Sequence, residues 1–283
     1  MKPEKAIIIG TGRLPCTCLE ACLARSFPVA CLESGDHVFS PLAARCRKHG
    51  VEYHRMTDRD ILSQYFLSIC RPTLVVSAYN YFIFPREVLV NPALNVINFH
   101  NSLLPRHRGR NAPTWSIYEM DVTTGITWHQ VCPEVDTGDV IMQKRISMSH
   151  DITALELTLK TLEVAGPAFE KIFPLLLDDS YSRVPVEKNG KESFHLSTDV
   201  PNGGWFDPDW NIKQAHAFLR AMDYGKFEVF AAPRVHFPGA DLTITGYQIQ
   251  NDGSDRDGET SITFENHRLV LCDRETKLLI ACK

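Results

Sequence analysis

Short apolar runs alternate with longer amphipathic stretches through the first 177 residues of the chain. Short runs rich in β-branched residues predict buried parallel strands, and apolar positions repeating every three to four residues predict helices. The predicted strands span residues 5–10, 27–32, 74–79, 93–99, 125–131 and 140–146. The predicted helices span residues 14–25, 41–49, 58–69, 85–90, 112–120 and 153–177. This alternation predicts an α/β fold with a doubly wound, mainly parallel, Rossmann-like sheet.

The pattern changes after residue 178. Residues 179–204 are mostly polar and end in an Asn-Gly-Gly turn, which predicts a linker. Residues 210–222 then predict one more helix. Alternating polar and apolar residues predict strands at 241–245, 260–264, 268–272 and 277–282. We therefore expect a first domain over 1–178, a linker over 179–204, and a smaller C-terminal β domain, OB-like and with a leading helix, over 205–283.

The composition is that of a globular protein, with 44% hydrophobic and 23% charged residues. A formal net charge of −4 predicts no general attraction to nucleic acid or to anionic membranes. Only four apolar residues precede Gly10, too few for a signal peptide, and every other apolar run is shorter than the roughly 20 residues of a membrane span. The sequence predicts a cytoplasmic protein with no membrane partner.

Nine cysteines raise the question of a metal site or of disulfide bonds. Cys16, Cys18 and Cys22 cluster, but their spacing lacks the paired Cys-x2-Cys units that hold zinc. An odd number of cysteines in a chain with no export signal is typical of reduced thiols. We expect buried, reduced cysteines and no metal.

A Gly-x-Gly turn at Gly10 and Gly12 follows the first predicted strand, as in dinucleotide-binding folds. The full fingerprint needs a third glycine at position 15, where this chain has Pro15. The pair therefore predicts a tight strand-to-helix turn, and it disfavours a nicotinamide or nucleotide cofactor.

Three polar residues that suit acyl transfer lie near predicted strand ends. Asn98 and His100 are two residues apart, so a strand would point both side chains to the same side. Asp136 lies in a glycine turn about thirty residues later, between two further strands. In doubly wound sheets, ligands bind beyond the carboxyl ends of the strands. An amide, an imidazole and a carboxylate there can polarise a carbonyl, move a proton and orient the imidazole.

The motif around these residues is more specific than the three side chains alone. Asn98 to Gly109 reads Asn-x-His-x-Ser-Leu-Leu-Pro-x-x-x-Gly, and Asp-Thr-Gly-Asp follows at 136–139 after an intervening strand. The chain in this respect resembles the folate-dependent formyltransferases, clearly over its first 175 residues and more weakly beyond. Segments 111–115, 125–129 and 135–139 look most similar to the formylation domains of nonribosomal peptide synthetases.

The resemblance implies both a donor and a set of roles. The formyl donor would be 10-formyltetrahydrofolate, with no metal. Asn98 would donate a hydrogen bond to the formyl oxygen, and His100 would be a second donor. Asp136 would hold the imidazole and help to remove a proton from the acceptor amine.

The same resemblance implies a folate pocket lined largely by main-chain groups. Its residues would be Tyr81, Phe82, Ile83, Ser102, Leu103, Leu104, Pro105, Thr137, Gly138 and Asp139. One departure is Asn80, because the tRNA-modifying members of the family usually have glycine at the matching position. Either the loop is bulkier here, or it accepts asparagine in a left-handed conformation.

Two further features near the motif have a functional and a structural interpretation. Arg106, Arg108 and Arg110 lie in a cationic loop with His107. This loop could contact an acceptor phosphate, the glutamate tail of folate or a nucleic acid, or it could simply be solvated. The glycinamide ribonucleotide formyltransferases, members of the same family, have a histidine at the position that matches His129. His129 would either neighbour Asp136 or contribute to packing.

The acceptor is less constrained than the donor. Residues 200–283 carry 9 Lys and Arg against 12 Asp and Glu, which argues against tRNA as a substrate. The motifs favour the amine of an aminoacyl group tethered to a carrier protein in nonribosomal peptide or related biosynthesis. The predicted partner is thus a small amine or this carrier-tethered acceptor, and a nucleotide-linked amino sugar or Met-tRNA is the alternative. Two other classes stay open: a 10-formyltetrahydrofolate hydrolase and a non-catalytic folate-binding module.

Overall fold

The computed structural model describes residues 1–35, 39–187, 190, 192–237, 239–251, 261–265, 268–273 and 276–283. The chain forms two compact units. The first contains Met1–Gly109, Thr124–Ile146 and Leu159–Phe194, and the second contains Arg110–Thr123, Ser147–Thr158 and His195–Lys283. Among the described residues, every helix is too short or too polar to cross a membrane.

A seven-stranded sheet forms the centre of the first unit. Its strands are β1 (Lys5–Gly10), β2 (Val29–Glu33), β3 (Glu52–Arg55), β4 (Thr73–Ala78), β5 (Leu94–His100), β7 (Thr123–Gln130) and β8 (Val140–Ser147), and a short β6 (Arg108–Gly109) lies outside the sheet. The order is β3-β2-β1-β4-β5-β7-β8. The pairs from β3 to β5 are parallel, and β5 pairs with β7 in the antiparallel direction. The predicted doubly wound, mainly parallel α/β sheet is confirmed.

Helices follow the parallel strands, as this fold requires. They are α1 (Leu14–Leu23), α2 (Pro41–His49), α3 (Arg59–Leu67) and α4 (Arg86–Leu89), and most of α6 (Ala154–Leu177) lies in the same unit after β8. The Ser40 hydroxyl caps α2 by accepting the Ala43 N–H at 2.9 Å, and Gly50 ends it in a left-handed conformation. Gly10 lets β1 approach β4, since a Cβ there would lie 1.8 Å from the Ala78 carbonyl oxygen.

The sequence analysis missed β3. This strand reads Glu-Tyr-His-Arg and lies at the edge of the sheet, with mostly exposed side chains. A strand whose side chains are mostly exposed needs no apolar run, and charged residues are common on edge strands. Helix α1 also ends two residues earlier than predicted, because the chain turns at Ser26, where φ is 49°.

The second unit contains a six-stranded sheet in the order β10-β11-β12-β15-β14-β13. Its strands are β10 (Trp205–Phe206), β11 (Arg234–Phe237), β12 (Ala240–Asn251), β13 (Ser261–Glu265), β14 (Arg268–Cys272) and β15 (Thr276–Cys282). Helices α5 (Ala112–Tyr118) and α7 (Ile212–Met222) belong to this unit, as does a 3₁₀ helix at Pro201–Gly204. Phe218 on α7 packs with Phe206, Val235, Leu271 and Ile280 in the core.

The predicted linker is more structured than its polar composition suggests. It contains the short β9 (Phe194–His195) and the 3₁₀ helix, and its Ser193 binds the backbone N–H groups of His107 and Arg108. Residues 188, 189 and 191, and Thr260 of one predicted strand, lie outside the described residues. The boundaries drawn at residues 178 and 204 stay a prediction.

The cysteines are free thiols in the structure, and the prediction that they are buried is wrong for Cys70. Cys70 is exposed and Cys132 is half-buried, whereas the others are buried. Burial raises the pKa of the Cys22 thiol to about 12, which keeps this sulfur protonated and unreactive at neutral pH.

His216 on α7 makes the stability of the protein depend on pH. Burial first, and then the charge of Arg220, lower its pKa from 6.5 to about 4. Unfolding therefore takes up a proton at this ring between about pH 4 and 6.5, and stability is lost as the pH falls through that range. We expect this residue to lower the free energy of unfolding by about 2 kcal/mol between pH 7 and pH 5.

Chemical denaturation at the two pH values, in the wild type and in His216→Phe, measures this contribution. Phenylalanine preserves the edge-on ring contact with Tyr247, whose centroid lies 5.9 Å away. The stability loss at pH 5 should be smaller in the variant. An equal loss in both proteins would contradict the assignment.

Candidate active site

The strand register places polar side chains next to one another at the carboxyl end of β5. Asn98 is opposite His129 on β7, and His100 is opposite Thr127. On its other side, β5 pairs with β4, where Ser77 is level with Asn98. Side chains at matched positions on neighbouring strands point to the same face of a sheet. Ser77, Asn98 and His129 therefore form one row across three strands.

Asp136 reaches this row from the turn between β7 and β8. Its backbone is left-handed, with φ 54°. Gly138 lets the turn fold back on β7, since a Cβ there would lie 1.9 Å from the Gln130 carbonyl oxygen. The Asp136 Oδ2 atom accepts the Gly109 N–H at 2.8 Å and lies 3.3 Å from His100 Nδ1. The structure thus brings the three predicted catalytic residues together.

His129 belongs to the same cluster. Its Nε2 atom lies 3.1 Å from Asn98 Nδ2 and 3.4 Å from Asp136 Oδ1. Its Nδ1 atom lies 2.8 Å from the Gln130 carbonyl oxygen. Of the two interpretations of His129, the structure supports proximity to Asp136.

Burial and charge set the protonation of this cluster. Burial alone would raise the pKa of Asp136, but the charge of His100, the neighbouring His129 and the Gly109 N–H outweigh it, so the pKa lies well below its usual value. Burial lowers the pKa of His100, and the Asp136 carboxylate opposes that effect. At neutral pH the arrangement is therefore an ionised Asp136 beside a neutral His100.

Both ring nitrogens of His100 are engaged within the protein. Nε2 lies 2.7 Å from the His107 carbonyl oxygen, which can only accept, so Nε2 carries the hydrogen. In the neutral ring, Nδ1 then has a lone pair and faces Asp136. His100 Nε2 can donate to the formyl oxygen, as the resemblance implies, only after it leaves His107. In the present arrangement Nδ1 is the site that can receive a proton.

Neighbouring side chains hold the loop after β5. Thr127 Oγ1 donates to the Ser102 carbonyl at 2.7 Å and accepts the Leu104 N–H at 3.2 Å. Gln143 Nε2 donates to the Leu104 carbonyl at 2.9 Å. The Leu104–Pro105 peptide is cis, and the Leu103 side chain packs against Gly125. The predicted folate-side residues 102–105 therefore lie in a well-defined loop next to Asn98 and His100.

The segment after β4 alternates between the core and solvent. Tyr81 and Ile83 are 55% and 50% exposed, whereas Phe82 packs in the core with its ring centroid 6.1 Å from that of Phe66. The left-handed residue of this segment is Tyr79, with φ 58°, rather than Asn80. The predicted folate-contacting residues thus differ: Tyr81 and Ile83 can offer side chains, and Phe82 can offer only its backbone.

The remaining predicted folate residues lie in the Asp136 turn. Thr137 Oγ1 donates to the Glu134 carbonyl at 2.9 Å, and the Asp139 carbonyl accepts the Gln130 N–H at 2.8 Å. Thr137 and Asp139 are half-buried and Gly138 is buried. These contacts fix the turn that presents Asp136.

The cationic loop is partly neutralised by its own surroundings. Arg108 Nη1 lies 3.1 Å from Glu134 Oε1, and its guanidinium stacks over the Phe194 ring at 5.7 Å. The backbone N–H groups of His107 and Arg108 bind the Ser193 hydroxyl and carbonyl at 2.8 and 2.9 Å. Arg106 and Arg110 are half-buried, the latter in the second unit.

A cluster of potential metal ligands exists in the second unit. Atoms of His150, Asp151 and His216 lie within 4.8 Å of one another. The positive charge of Arg220 acts on both His216 and Asp151, so it would repel a cation. We assign no metal to this cluster.

Sequence reasoning missed several residues that shape the site. Ser77 is the polar residue near the end of an apolar strand, so its position was a usable signal once β4 and β5 were paired. His107 and Ser193 act through a carbonyl and through backbone contacts. Such contacts leave no pattern in the sequence.

Two sequence comparisons match this chain to formyltransferases. Residues 33–172 match the sequence model of the formyl transferase family. The chain is 30% identical over 156 residues to GDP-perosamine N-formyltransferase of Brucella melitensis, a match that covers 55% of this chain and 59% of that protein.

Solved structures share the whole fold at low sequence identity. One is an N-formyltransferase from Helicobacter canadensis in complex with folinic acid and dTDP-3-aminofucose, with a TM-score of 0.76, 16% identity, and coverage of 99% of this chain and 100% of that one. Another is WlaRD, a sugar 3N-formyltransferase studied with dTDP and 5-N-formyl-THF, with a TM-score of 0.75, 16% identity, and coverage of 98% and 97%. Across residues 33–172, the chain is therefore similar to the formyl transferase family.

Proposed function

We propose that this protein transfers the formyl group of 10-formyltetrahydrofolate to the primary amine of a nucleotide-linked amino sugar. The observation that carries the proposal is the assembly of Asn98, His100 and Asp136 at one end of the first sheet, within the residues that match the family. The chain spans 59% of the length of the curated relative it matches. We therefore infer its activity and substrates from the chemistry of the site and from the substrates in the names of similar proteins.

Asn98 supplies the donor to the formyl oxygen. Its amide nitrogen carries two hydrogens, and only one is needed for the bond to His129. The second can meet the negative charge that develops on the formyl oxygen when the amine attacks. Ser77 binds the oxygen of the same amide: its hydroxyl donates to Asn98 Oδ1 at 2.7 Å.

His100 and Asp136 receive the proton. The amine nitrogen forms a bond to the formyl carbon while the bond from that carbon to the donor nitrogen breaks. The amine loses one proton, which His100 Nδ1 accepts and the Asp136 carboxylate stabilises at 3.3 Å. The departing nitrogen of tetrahydrofolate takes up one proton, so the products are a formamide and tetrahydrofolate.

The surroundings of the cluster suit a folate. Bound as a co-substrate, 10-formyltetrahydrofolate supplies an activated formyl group on a flat heterocyclic carrier. Tyr81 and Ile83 expose apolar side chains beside the end of β4, and such surfaces suit a flat ring. Residues 102–105, in the loop after β5, and residues 137–139, in the turn before β8, offer backbone groups. No metal is needed for these roles.

The names of the relatives favour the alternative acceptor over the one that the sequence motifs favoured. The curated relative acts on GDP-perosamine, and the Helicobacter structure was obtained with dTDP-3-aminofucose. We therefore replace the carrier-protein-tethered aminoacyl acceptor by a nucleotide-linked amino sugar. Arg106 and Arg108 place positive charge next to the site, which suits the diphosphate of such an acceptor.

Release of tetrahydrofolate, followed by absorbance, tests this proposal. The donor is mixed with the protein alone and with one acceptor of each class: a nucleotide-linked amino sugar, an aminoacyl carrier protein and Met-tRNA. We expect release only with the amino sugar. Release with another amine would replace the acceptor class, release without any amine would indicate a hydrolase, and no release with any acceptor would favour a folate-binding module.

A further inference from the structure

The Asn98 amide is held at both ends by its neighbours in the sheet. Ser77 Oγ lies 2.7 Å from Asn98 Oδ1, and His129 Nε2 lies 3.1 Å from Asn98 Nδ2. The strand register places the three side chains next to one another, because the residues are at matched positions on β4, β5 and β7.

The direction of each hydrogen bond follows from the chemistry of the partners. The Gln130 carbonyl can only accept, so His129 Nδ1 carries a hydrogen. The NH₂ group of an amide can only donate, and Asn98 turns this group towards His129 Nε2. Its oxygen consequently faces Ser77, which must donate.

Asn80 explains why the Ser77 hydrogen is available for that bond. Asn80 Oδ1 accepts the Phe82 N–H at 3.1 Å and the Ser34 hydroxyl at 3.0 Å, which fixes the orientation of this second amide. Asn80 Nδ2 donates to the Phe82 carbonyl at 3.1 Å and to Ser77 Oγ at 3.4 Å. Because Ser77 accepts from Asn80, its own hydrogen is directed to Asn98.

We propose that Ser77, itself oriented by Asn80, is a positioning residue that fixes which end of the Asn98 amide faces the reacting group. The inference rests on the proposed function, since it assigns a purpose to the orientation of Asn98. A rotated amide would present its oxygen where the NH₂ group is needed, and that oxygen would repel the developing negative charge. Ser77 is 2% exposed, so water cannot readily replace its hydroxyl.

Ser77→Ala removes the donor and leaves a small side chain in a buried strand. We expect kcat to fall about 10- to 100-fold, less than the 10²–10³-fold typical of losing an oxyanion donor outright, with little change in KM for the folate donor. Ser77→Thr keeps the hydroxyl and should recover most of kcat. Asn80→Asp replaces the Nδ2 donor by a carboxylate oxygen, which can draw the Ser77 hydrogen away from Asn98, so we expect a fall in kcat up to that of Ser77→Ala.

A double-mutant cycle separates positioning from a general structural role. If Ser77 acts through Asn98, Ser77→Ala should lower kcat in the wild type and have no further effect in Asn98→Ala. If Ser77→Ala lowered kcat by the same factor in both backgrounds, the proposal would be overturned. A change confined to KM, or an equal loss of kcat in Ser77→Thr, would overturn it as well. If the wild type transfers no formyl group, the proposed function fails, because the double-mutant cycle compares kcat values that then do not exist.

Discussion

Asn98→Ala is expected to lower kcat by about 10²–10³-fold, or roughly 2.7–4 kcal/mol of transition-state stabilisation. The reason is that the amide is the group whose free N–H can meet the charge on the formyl oxygen, while its second N–H is used by His129. KM for the folate donor should change little, because that hydrogen bond strengthens only as the charge develops. Steady-state release of tetrahydrofolate measures both constants.

Asn95 provides the matched control. It lies on the same strand, and its amide binds Tyr181 and Gln130 at 3.0 and 2.8 Å, away from the catalytic cluster. Asn95→Ala should lower stability while leaving kcat near that of the wild type. If Asn95→Ala and Asn98→Ala lost the same activity, the effect of Asn98 would be structural and the assigned role would be wrong.

Asp136→Asn should lower kcat by roughly 10²–10⁴-fold, the range typical of losing general acid–base catalysis. A neutral amide cannot stabilise a proton on His100, and without the carboxylate the pKa of His100 falls further below its usual value. Asparagine tolerates the left-handed backbone at this position, so the turn should keep its shape. Circular dichroism and thermal unfolding would check that the fold is retained.

Asp179 allows the same substitution in the same backbone conformation. Its φ is also 54°, but its carboxylate pairs with the N-terminal ammonium group rather than with a histidine. Asp179→Asn should therefore leave kcat unchanged. Near-normal turnover by Asp136→Asn would contradict the assignment of proton transfer to the His100–Asp136 pair.

Much of the first unit could be predicted from the sequence, because buried parallel strands require uninterrupted apolar runs. Strands β1, β4 and β5 have such runs, and each was predicted to within a residue or so. The polar edge strand β3 could not be found in this way. The contacts of Ser193 with the motif loop were also out of reach, since they join backbone groups far apart in the chain.

The candidate catalytic residues were predictable for a different reason. The chemistry of acyl transfer restricts residue types, so Asn98, His100 and Asp136 stand out in a motif of fixed spacing. The contact of His129 with Asn98 depends on β7 running antiparallel to β5. No local pattern determines that direction, and both interpretations of His129 were therefore open.

The acceptor class could not be predicted from the motifs that seemed to indicate it. Segments 125–129 and 135–139 resemble those of peptide-synthetase domains, but their side chains build the core and the catalytic turn. Trp128, for example, is buried and donates to the Ala165 carbonyl at 3.2 Å. Residues that serve formyl transfer itself are needed for any acceptor, so they carry little information about which amine is used.

The most direct test of the account follows the formyl group itself. Donor labelled with ¹³C at the formyl carbon is incubated with the protein and a nucleotide-linked amino sugar, and the products are identified by NMR. We predict a labelled formamide on the sugar nitrogen and an equal amount of tetrahydrofolate, both formed about 10²–10³-fold more slowly with Asn98→Ala. Labelled formate without formamide, or donor that stays unchanged with every amine, would contradict formyl transfer as the function of this protein.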